Sequence, residues 1–235
     1  METIFLLIPL YNNCIIELEQ KMITEICFHN ATLLNGYSAM PDCGVLIKQH
    51  KIIDVFNEAR FKQKKFKPNT KFIDLKGAYI APGFIDTHIH GIGGFGTDDM
   101  DEKSILKMSE ILPRYGVTAF IPTLYSAPKD KLFKAMISIQ KAMGHEKGAK
   151  ILGMHLEGPF ISPERLGVQS PDSISPVDLE YMKQIITVGQ GNIINMTLAP
   201  ELKGMRELAL MCIAQGIILQ AGHTNATYKQ MVEAM

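Results

Sequence analysis

The sequence has 235 residues, of which 24 are acidic, 24 are basic and 46% are hydrophobic. This composition is typical of a globular protein with a sizeable core, and the zero net charge gives no electrostatic reason to expect a nucleic-acid partner. The four cysteines (Cys14, Cys27, Cys43 and Cys212) form no CxxC pair, which argues against a disulfide framework or a zinc knuckle and favours a reducing cytoplasm.

Residues 1–21 are predicted to form an extension outside the fold. The apolar run over residues 4–10 is too short to span a bilayer, so no membrane partner is expected. Glu2 stands where a signal peptide would carry positive charge. Sequence typical of ordered structure begins at Ile23, so Met22 is the expected natural start.

Residues 22–80 are predicted to form the N-terminal part of a small β domain. Runs of β-branched and aromatic residues at 23–31, 44–53 and 71–80 are separated by turn sequences such as Asn-Gly and Pro-Asp. The basic stretch over residues 60–71 is interpreted as a solvated loop, because the chain as a whole is neutral.

From residue 81 onward, strands and helices alternate. The predicted strands are 81–90, 117–124, 151–157, 193–199 and 216–222, and the predicted helices are 101–115, 129–143, 176–188, 204–215 and 228–235. Apolar strands separated by helices indicate parallel strands buried on both faces. We therefore predict the α/β class, with a (β/α)8-type barrel over residues 81–235 that contains about the first five βα units.

A complete barrel of this type takes about 250 residues. Residues 81–235 fall short of that length, and the last predicted helix reaches Met235 without a capping residue. The sequence is therefore expected to be an N-terminal portion of a longer protein. We expect such a portion to lack catalysis by itself.

Candidate metal ligands follow three of the predicted strands, where barrel enzymes carry their functional residues. His88 and His90 are two residues apart and share one face of the first strand, Glu157 ends the third, and His223 follows the fifth. Imidazole and carboxylate groups suit Zn, Fe, Mn, Co or Ni, and the group could hold one or two divalent ions. His155 lies one layer deeper and is expected to support the site without being a ligand.

Each of these signals has a more ordinary interpretation when taken alone. A His-x-His pair is more often incidental than metal-binding, and a glutamate after an apolar strand is commonly a helix cap or an ion-pair partner. The prediction of one metal centre therefore depends on the three strand ends meeting at one mouth of the barrel.

Four segments carry a family resemblance. Residues 82–91 (PGFIDTHIHG) resemble the first-strand motif of the amidohydrolase superfamily. Residues 155–160 (HLEGPF), 197–201 (TLAPE) and 222–227 (GHTNAT) are similar to those of the N-acetylglucosamine-6-phosphate deacetylase family, over roughly residues 23–235. The resemblance implies a metal-dependent hydrolase that cleaves the N-acetyl amide of a small amino-sugar phosphate, giving glucosamine 6-phosphate and acetate in amino-sugar catabolism.

The resemblance also implies roles for individual residues. Glu157 and His223 would bind the catalytic metal, while His88 and His90 would permit a second ion. Substrate binding falls on a Gly-x-His segment that here contains Val168 and Gln169, and glutamine can donate a hydrogen bond but cannot become cationic.

The resemblance places the catalytic residue outside this sequence. The family carries a further metal-binding histidine after strand six and an acid/base aspartate after strand eight. Only about five βα units are predicted here, so both residues are expected beyond Met235, and no catalytic residue is assigned within the sequence. The complete protein would be a homodimer.

Two alternatives remain open at this point. The chain could be a non-catalytic remnant, or half of a split enzyme, that keeps the first half of the fold and binds metal or a partner. It could also be an amidohydrolase of other specificity, although the His-Leu-Glu-Gly-Pro segment argues against this.

Overall fold

The computed structural model describes residues 6–7, 25–49 and 51–234. Of the predicted extension over residues 1–21, only Leu6–Leu7 are described, as a strand pairing antiparallel with Tyr79–Pro82. The rest of that extension and the predicted start at Met22 lie outside the described residues. Among the helices that are described, none has both the length and the apolar character needed to cross a membrane.

The chain divides into two compact units, with the division between Phe84 and Ile85. The sequence places the change from small β domain to barrel at residues 80–81. The predicted limits of the three segments stay predictions, and the two units are described separately below.

The N-terminal unit is built on a six-stranded mixed sheet. Its elements in chain order are β1 (Leu6–Leu7), β2 (Glu25–Leu34), β3 (Ala39–Lys48), β4 (Lys51–Asn57), α1 (Glu58–Gln63), β5 (Thr70–Asp74) and β6 (Tyr79–Pro82). Strand β2 pairs antiparallel with β3 and parallel with β5 and β6. The β-branched run over residues 44–53 contributes to two strands, because β3 and β4 pair antiparallel as the two strands of one hairpin.

The basic stretch is more ordered than the sequence suggests. The prediction of a loop over residues 60–71 is wrong at its start, where α1 is capped by the Asn57 side chain accepting from the Arg60 N–H. Three of its lysines form ion pairs with carboxylates of this unit: Lys62 with Glu58, Lys64 with Asp54, and Lys67 with Glu25. These carboxylates neutralise part of the positive charge of the stretch.

The C-terminal unit contains a parallel sheet flanked by helices. Its strands are β7 (Phe84–Ile89), β8 (Gly91–Ile92), β9 (Phe95–Gly96), β10 (Val117–Tyr125), β11 (Lys150–Ile151), β12 (Met154–Glu157), β13 (Ile193–Leu198) and β14 (Ile218–Ala221). Its α-helices are α2 (Glu102–Ile111), α3 (Lys129–Ala142), α4 (Leu179–Gly189), α5 (Met205–Ala214) and α6 (Tyr228–Ala234), with 3-10 turns at Thr97–Asp99, Leu112–Tyr115 and Pro171–Ser173.

The strand order confirms the predicted α/β class and the partial (β/α) barrel with an N-terminal β domain. Strand β7 pairs with β10, and β10, β12, β13 and β14 then follow one another in parallel pairs. Sequence neighbours among these strands are therefore neighbours in space, as in a barrel wound in one direction. Their carboxyl ends lie along one edge, which brings the chemistry-bearing segments together.

Two predicted strands are each divided in the structure. The predicted strand 81–90 contains the end of β6 and the whole of β7, which belong to different sheets. The predicted strand 151–157 is interrupted at Gly153, whose φ is +154°. A Cβ at that position would lie 2.5 Å from the Ile194 side chain, so the backbone passes too closely there for a larger residue.

The fourth helix begins later than the sequence suggests. The predicted start at residue 176 is wrong, since α4 begins at Leu179, after Ser175 and Pro176. The Asp178 carboxylate accepts a hydrogen bond from the Tyr181 N–H and caps the first turn. This aspartate is the stronger start signal because it satisfies a free backbone donor, which proline cannot do.

The last predicted helix is described over all but its final residue. Helix α6 begins at Tyr228, as the sequence suggests, and its described part ends at Ala234. Met235, where the sequence ends the predicted helix and the predicted barrel segment, lies outside the described residues. That both reach Met235 therefore stays a prediction.

The core of this unit lies between the sheet and the helices. Met154 and Leu156 of β12 are fully buried and belong to a cluster with helix residues such as Met136 and Ile139. His155 and Glu157 alternate with them along the strand and point to the other face. The helix-packed face of the strand therefore provides stability, while its opposite face carries the polar residues.

Helix α3 offers a matched test of this core. Ile139 is fully buried and Ile137 is 43% exposed. Ile139→Ala should lower the free energy of unfolding by about 2–5 kcal/mol, because it leaves a cavity in the core. Ile137→Ala should change it by less than about 0.5 kcal/mol. Urea unfolding of both variants measures the difference, and equal effects would contradict this description of the core.

The segments after β13 and β14 are joined through one carboxylate. Glu201 accepts hydrogen bonds from the Thr224 hydroxyl at 2.5 Å and from the Asn225 N–H at 2.6 Å. Burial tends to raise the pKa of Glu201, but these two donors hold it below its ordinary value. The turn that they fix contains His223, which adopts a left-handed backbone conformation with φ +48°.

We expect Glu201→Gln to lower the free energy of unfolding at neutral pH, because a neutral amide accepts these hydrogen bonds more weakly. The folded pKa of Glu201 lies below the ordinary glutamate value of about 4.3, so its stabilising effect is complete above that pH and is lost as the pH falls further. The difference between the unaltered chain and the variant should therefore shrink in acid, as measured by urea unfolding. A difference independent of pH would contradict this, and the exposed Glu207→Gln serves as the control.

Candidate metal centre

Three histidines surround the carboxylate of Glu157. The Nε2 atoms of His88 and His223 lie 3.4 Å and 3.3 Å from its Oε1, and the Nε2 of His90 lies 3.4 Å from its Oε2. Ligand atoms of His88, His90 and Glu157 all lie within 4.8 Å of one another. The structure thus brings together all four residues predicted as ligands. We call these four residues (His88, His90, Glu157 and His223) the metal-site cluster, and their role as ligands stays a prediction.

The orientation of His90 is fixed by its surroundings. Its Nδ1 lies 3.0 Å from the backbone carbonyl oxygen of Thr123, which can only accept, so Nδ1 carries the proton in the neutral ring. The ring also stacks on Tyr125, with centroids 3.6 Å apart. The lone pair of Nε2 then faces a carboxylate oxygen, and a cation between the two atoms would satisfy both.

His223 has the same arrangement on the other side of Glu157. Its Nδ1 lies 2.9 Å from the backbone carbonyl oxygen of Arg165, so its Nε2 is likewise free of a proton in the neutral ring. A metal-binding histidine commonly donates its second ring N–H to a carbonyl or carboxylate in this way. The donor set of two such imidazoles, His88 and one carboxylate therefore fits a divalent transition metal.

Glu157 is suited to act as the negative member of this cluster. Burial tends to raise the pKa of its carboxyl group, but His90 in its doubly protonated form, by its hydrogen bond and charge, together with the charges of His88 and His223, holds that pKa below its ordinary value. The group is therefore ionised at neutral pH. A buried carboxylate needs compensating positive charge, which a bound cation would supply.

His155 lies beneath the cluster, as the sequence suggests. It is fully buried, its ring centroid is 5.0 Å from that of His88, and its Nε2 lies 2.8 Å from the Thr197 hydroxyl. Its Nδ1 lies 3.5 Å from the hydroxyl of Thr123, which also accepts from the Ile89 N–H. Burial, and then the charge of His88, lower the pKa of His155 to about 4, so it is neutral at physiological pH.

The predicted substrate-binding residues have very different surroundings. Val168 is 90% exposed, whereas Gln169 is only 7% exposed and contacts Glu157. The preceding Gly167 has φ +61°, and a Cβ there would lie 3.3 Å from the His223 ring. This segment therefore packs directly against the metal-site cluster, and its role in substrate binding stays a prediction.

The catalytic acid/base is not among the residues of the predicted site that lie within this sequence. The resemblance expects it, as an aspartate, beyond Met235, and the described residues end one position earlier. Its existence and position stay a prediction.

Sequence reasoning missed two residues at the end of β10. Tyr125 stacks on His90, and the Ser126 hydroxyl donates to the Glu157 carbonyl oxygen at 3.1 Å. Both stand at the carboxyl end of a barrel strand, so the rule that located the ligands could have located them too. Neither a lone tyrosine nor a lone serine is a recognised metal ligand signal, which is why the sequence did not single them out.

Two solved structures of similar fold are larger than this chain. An N-acetylglucosamine-6-phosphate deacetylase from Pasteurella multocida matches with a TM-score of 0.79 and 27% identity, over 89% of this chain and 54% of that one. The corresponding enzyme from Thermotoga maritima matches with a TM-score of 0.71 and 26% identity, over 88% of this chain and 51% of that one.

Curated relatives carry the same name. The N-acetylglucosamine-6-phosphate deacetylase of Bacillus subtilis is 34% identical over 217 residues, and the human protein of that name is 31% identical over 216 residues. Each alignment covers 88% of this chain and 51% of the relative. The chain thus spans about half the length of the curated relatives that it matches.

A family model gives the broader assignment. The model described as Amidohydrolase family matches residues 79–235, which is more than half of the chain. The matched region contains every member of the metal-site cluster. This chain belongs to the amidohydrolase family.

Proposed function

We propose that this chain carries part of the active site of a metal-dependent deacetylase. The reaction is hydrolysis of the N-acetyl amide of N-acetylglucosamine 6-phosphate to glucosamine 6-phosphate and acetate, in amino-sugar catabolism. The observation that carries the proposal is the convergence of three histidine Nε2 atoms on the Glu157 carboxylate. The names of the curated relatives support the choice of substrate.

Glu157 and His223 would hold the catalytic ion, and His88 and His90 would either complete that site or hold a second ion. The bound ion would supply an electrophile for the amide carbonyl and would lower the pKa of a water molecule. The residues of this chain fix the geometry: Nδ1 of His90 and of His223 is committed to a backbone carbonyl, so each Nε2 is directed at the metal position. Zinc, iron, manganese, cobalt and nickel all suit these ligands.

Substrate recognition is proposed for the segment next to His223. The exposed side chain of Val168 follows Gly167, which approaches the His223 ring closely, so a bound sugar could contact it. The proposed location is the cytoplasm, from the scattered cysteines, and the proposed assembly is a homodimer, from the family resemblance. The activity, substrate and assembly are proposals for the whole protein, because this chain spans about half the length of its relatives.

The ligand set can be tested on the chain itself. Glu157→Gln should weaken Zn²⁺ binding by more than about 100-fold, since loss of a supporting group alone costs about 10–100-fold. Competition with a coloured chelator measures the dissociation constant. The exposed Glu207→Gln on α5 is the matched control and should bind as the unaltered chain does. Equal binding by the two variants would contradict the role of Glu157.

The reaction is tested on the protein expressed from its complete natural gene. With Zn²⁺ present, it should release acetate from N-acetylglucosamine 6-phosphate, and His223→Asn should remove most of that turnover because the ion loses a ligand. Chelation should abolish acetate release and added metal should restore it. Metal binding without turnover would overturn the deacetylase proposal and favour a non-catalytic or split-chain role. Turnover on other amides alone would indicate an amidohydrolase of different specificity.

A further inference from the structure

The side chain of Gln169 is fully engaged within the protein. It lies on the segment between β12 and α4, and its Oε1 accepts a hydrogen bond from the Ser126 N–H at 2.9 Å. Its Nε2 donates to Glu157 twice, to the carboxylate Oε2 at 3.2 Å and to the backbone carbonyl oxygen at 3.3 Å. Gln169 therefore links the end of β10 to the end of β12.

The orientation of this amide follows from its partners. The Ser126 N–H can only donate, so the atom facing it must be the amide oxygen. Both Glu157 oxygens can only accept, so the atom facing them must be the NH₂ group. An amide NH₂ group has two hydrogens, and both are used here, which leaves Gln169 without a donor for a substrate.

These hydrogen bonds fix the plane of the Glu157 carboxylate. Its Oε2 faces Gln169 and His90, and this orientation directs its Oε1 toward His88 and His223. Without the amide, the carboxylate could rotate about its terminal bond, where the torsional preference is broad. A glutamine keeps donating at every pH, because its amide does not titrate in the physiological range.

We propose that Gln169 is a positioning residue that orients Glu157 for metal binding and does not itself recognise the substrate. This inference rests on the proposed function. It replaces the substrate-binding role that the family resemblance implies for Gln169 and leaves that role to the exposed Val168.

The test compares Gln169→Met with Val168→Ala in the chain, using Zn²⁺ as the probe. Methionine has a similar length but neither donates nor accepts as the amide does, so Zn²⁺ should bind about 10–100-fold more weakly. Val168→Ala should change the affinity by less than about twofold, because that side chain is 90% exposed. Visible absorption of bound Co²⁺ should also change in Gln169→Met and not in Val168→Ala.

The outcomes separate this inference from the proposed function. If the unaltered chain binds Zn²⁺ and Gln169→Met binds it equally well, only the positioning role is overturned. If the unaltered chain binds no Zn²⁺, the metal centre is overturned and the inference with it. In the natural full-length protein, a positioning role lowers kcat with little change in KM, whereas a raised KM alone would assign Gln169 to the substrate.

A measurement on the unaltered chain keeps the inference testable if Gln169→Met fails to fold. The side-chain amide protons of Gln169 should exchange slowly with solvent, because both are hydrogen-bonded in a buried position. Their NMR signals should shift on addition of Zn²⁺. Rapid exchange and no response to Zn²⁺ would overturn the positioning role.

Discussion

The buried carboxylate of Glu157 is the constraint on which this site depends. It is 8% exposed, and an ionised group in that position requires positive or hydrogen-bonding partners to offset its lost hydration. The structure supplies His88, His90 and His223 at 3.3–3.4 Å, together with the amide of Gln169. The surrounding strands and loops hold these partners next to the Glu157 carboxylate.

The parallel sheet positions Glu157 and two of its three histidine partners. His88, His90 and Glu157 stand at or just beyond the carboxyl ends of β7 and β12, and β10 lies between these two strands in the sheet. The apolar residues that alternate with them, such as Leu156, pack against the helices. Burial of that apolar face holds the strands in place, and the polar residues of the opposite face are positioned as a consequence.

The long segment between β12 and α4 orients His223 and Glu157 through hydrogen bonds. The Ser162 N–H donates to the His223 carbonyl oxygen, and the Arg165 carbonyl oxygen accepts from the His223 ring. Gln169, farther along the same segment, returns to Glu157. One irregular segment thus sets the tautomer of one proposed ligand and the plane of another, while Glu201 fixes the backbone turn that contains His223.

The sequence alone determined the fold class, the partial barrel and the four members of the metal-site cluster. It could do so because strand periodicity and the rule that function lies at the carboxyl ends of barrel strands depend only on local pattern and chain direction. Only the tertiary structure decided the tautomers of His90 and His223 and the engagement of Gln169 with Glu157. These features depend on backbone carbonyl oxygens and on donors such as the Ser126 N–H. These partners are far in sequence from the side chains that they contact, and they are backbone groups that do not differ from one residue type to another. No sequence pattern can therefore mark them.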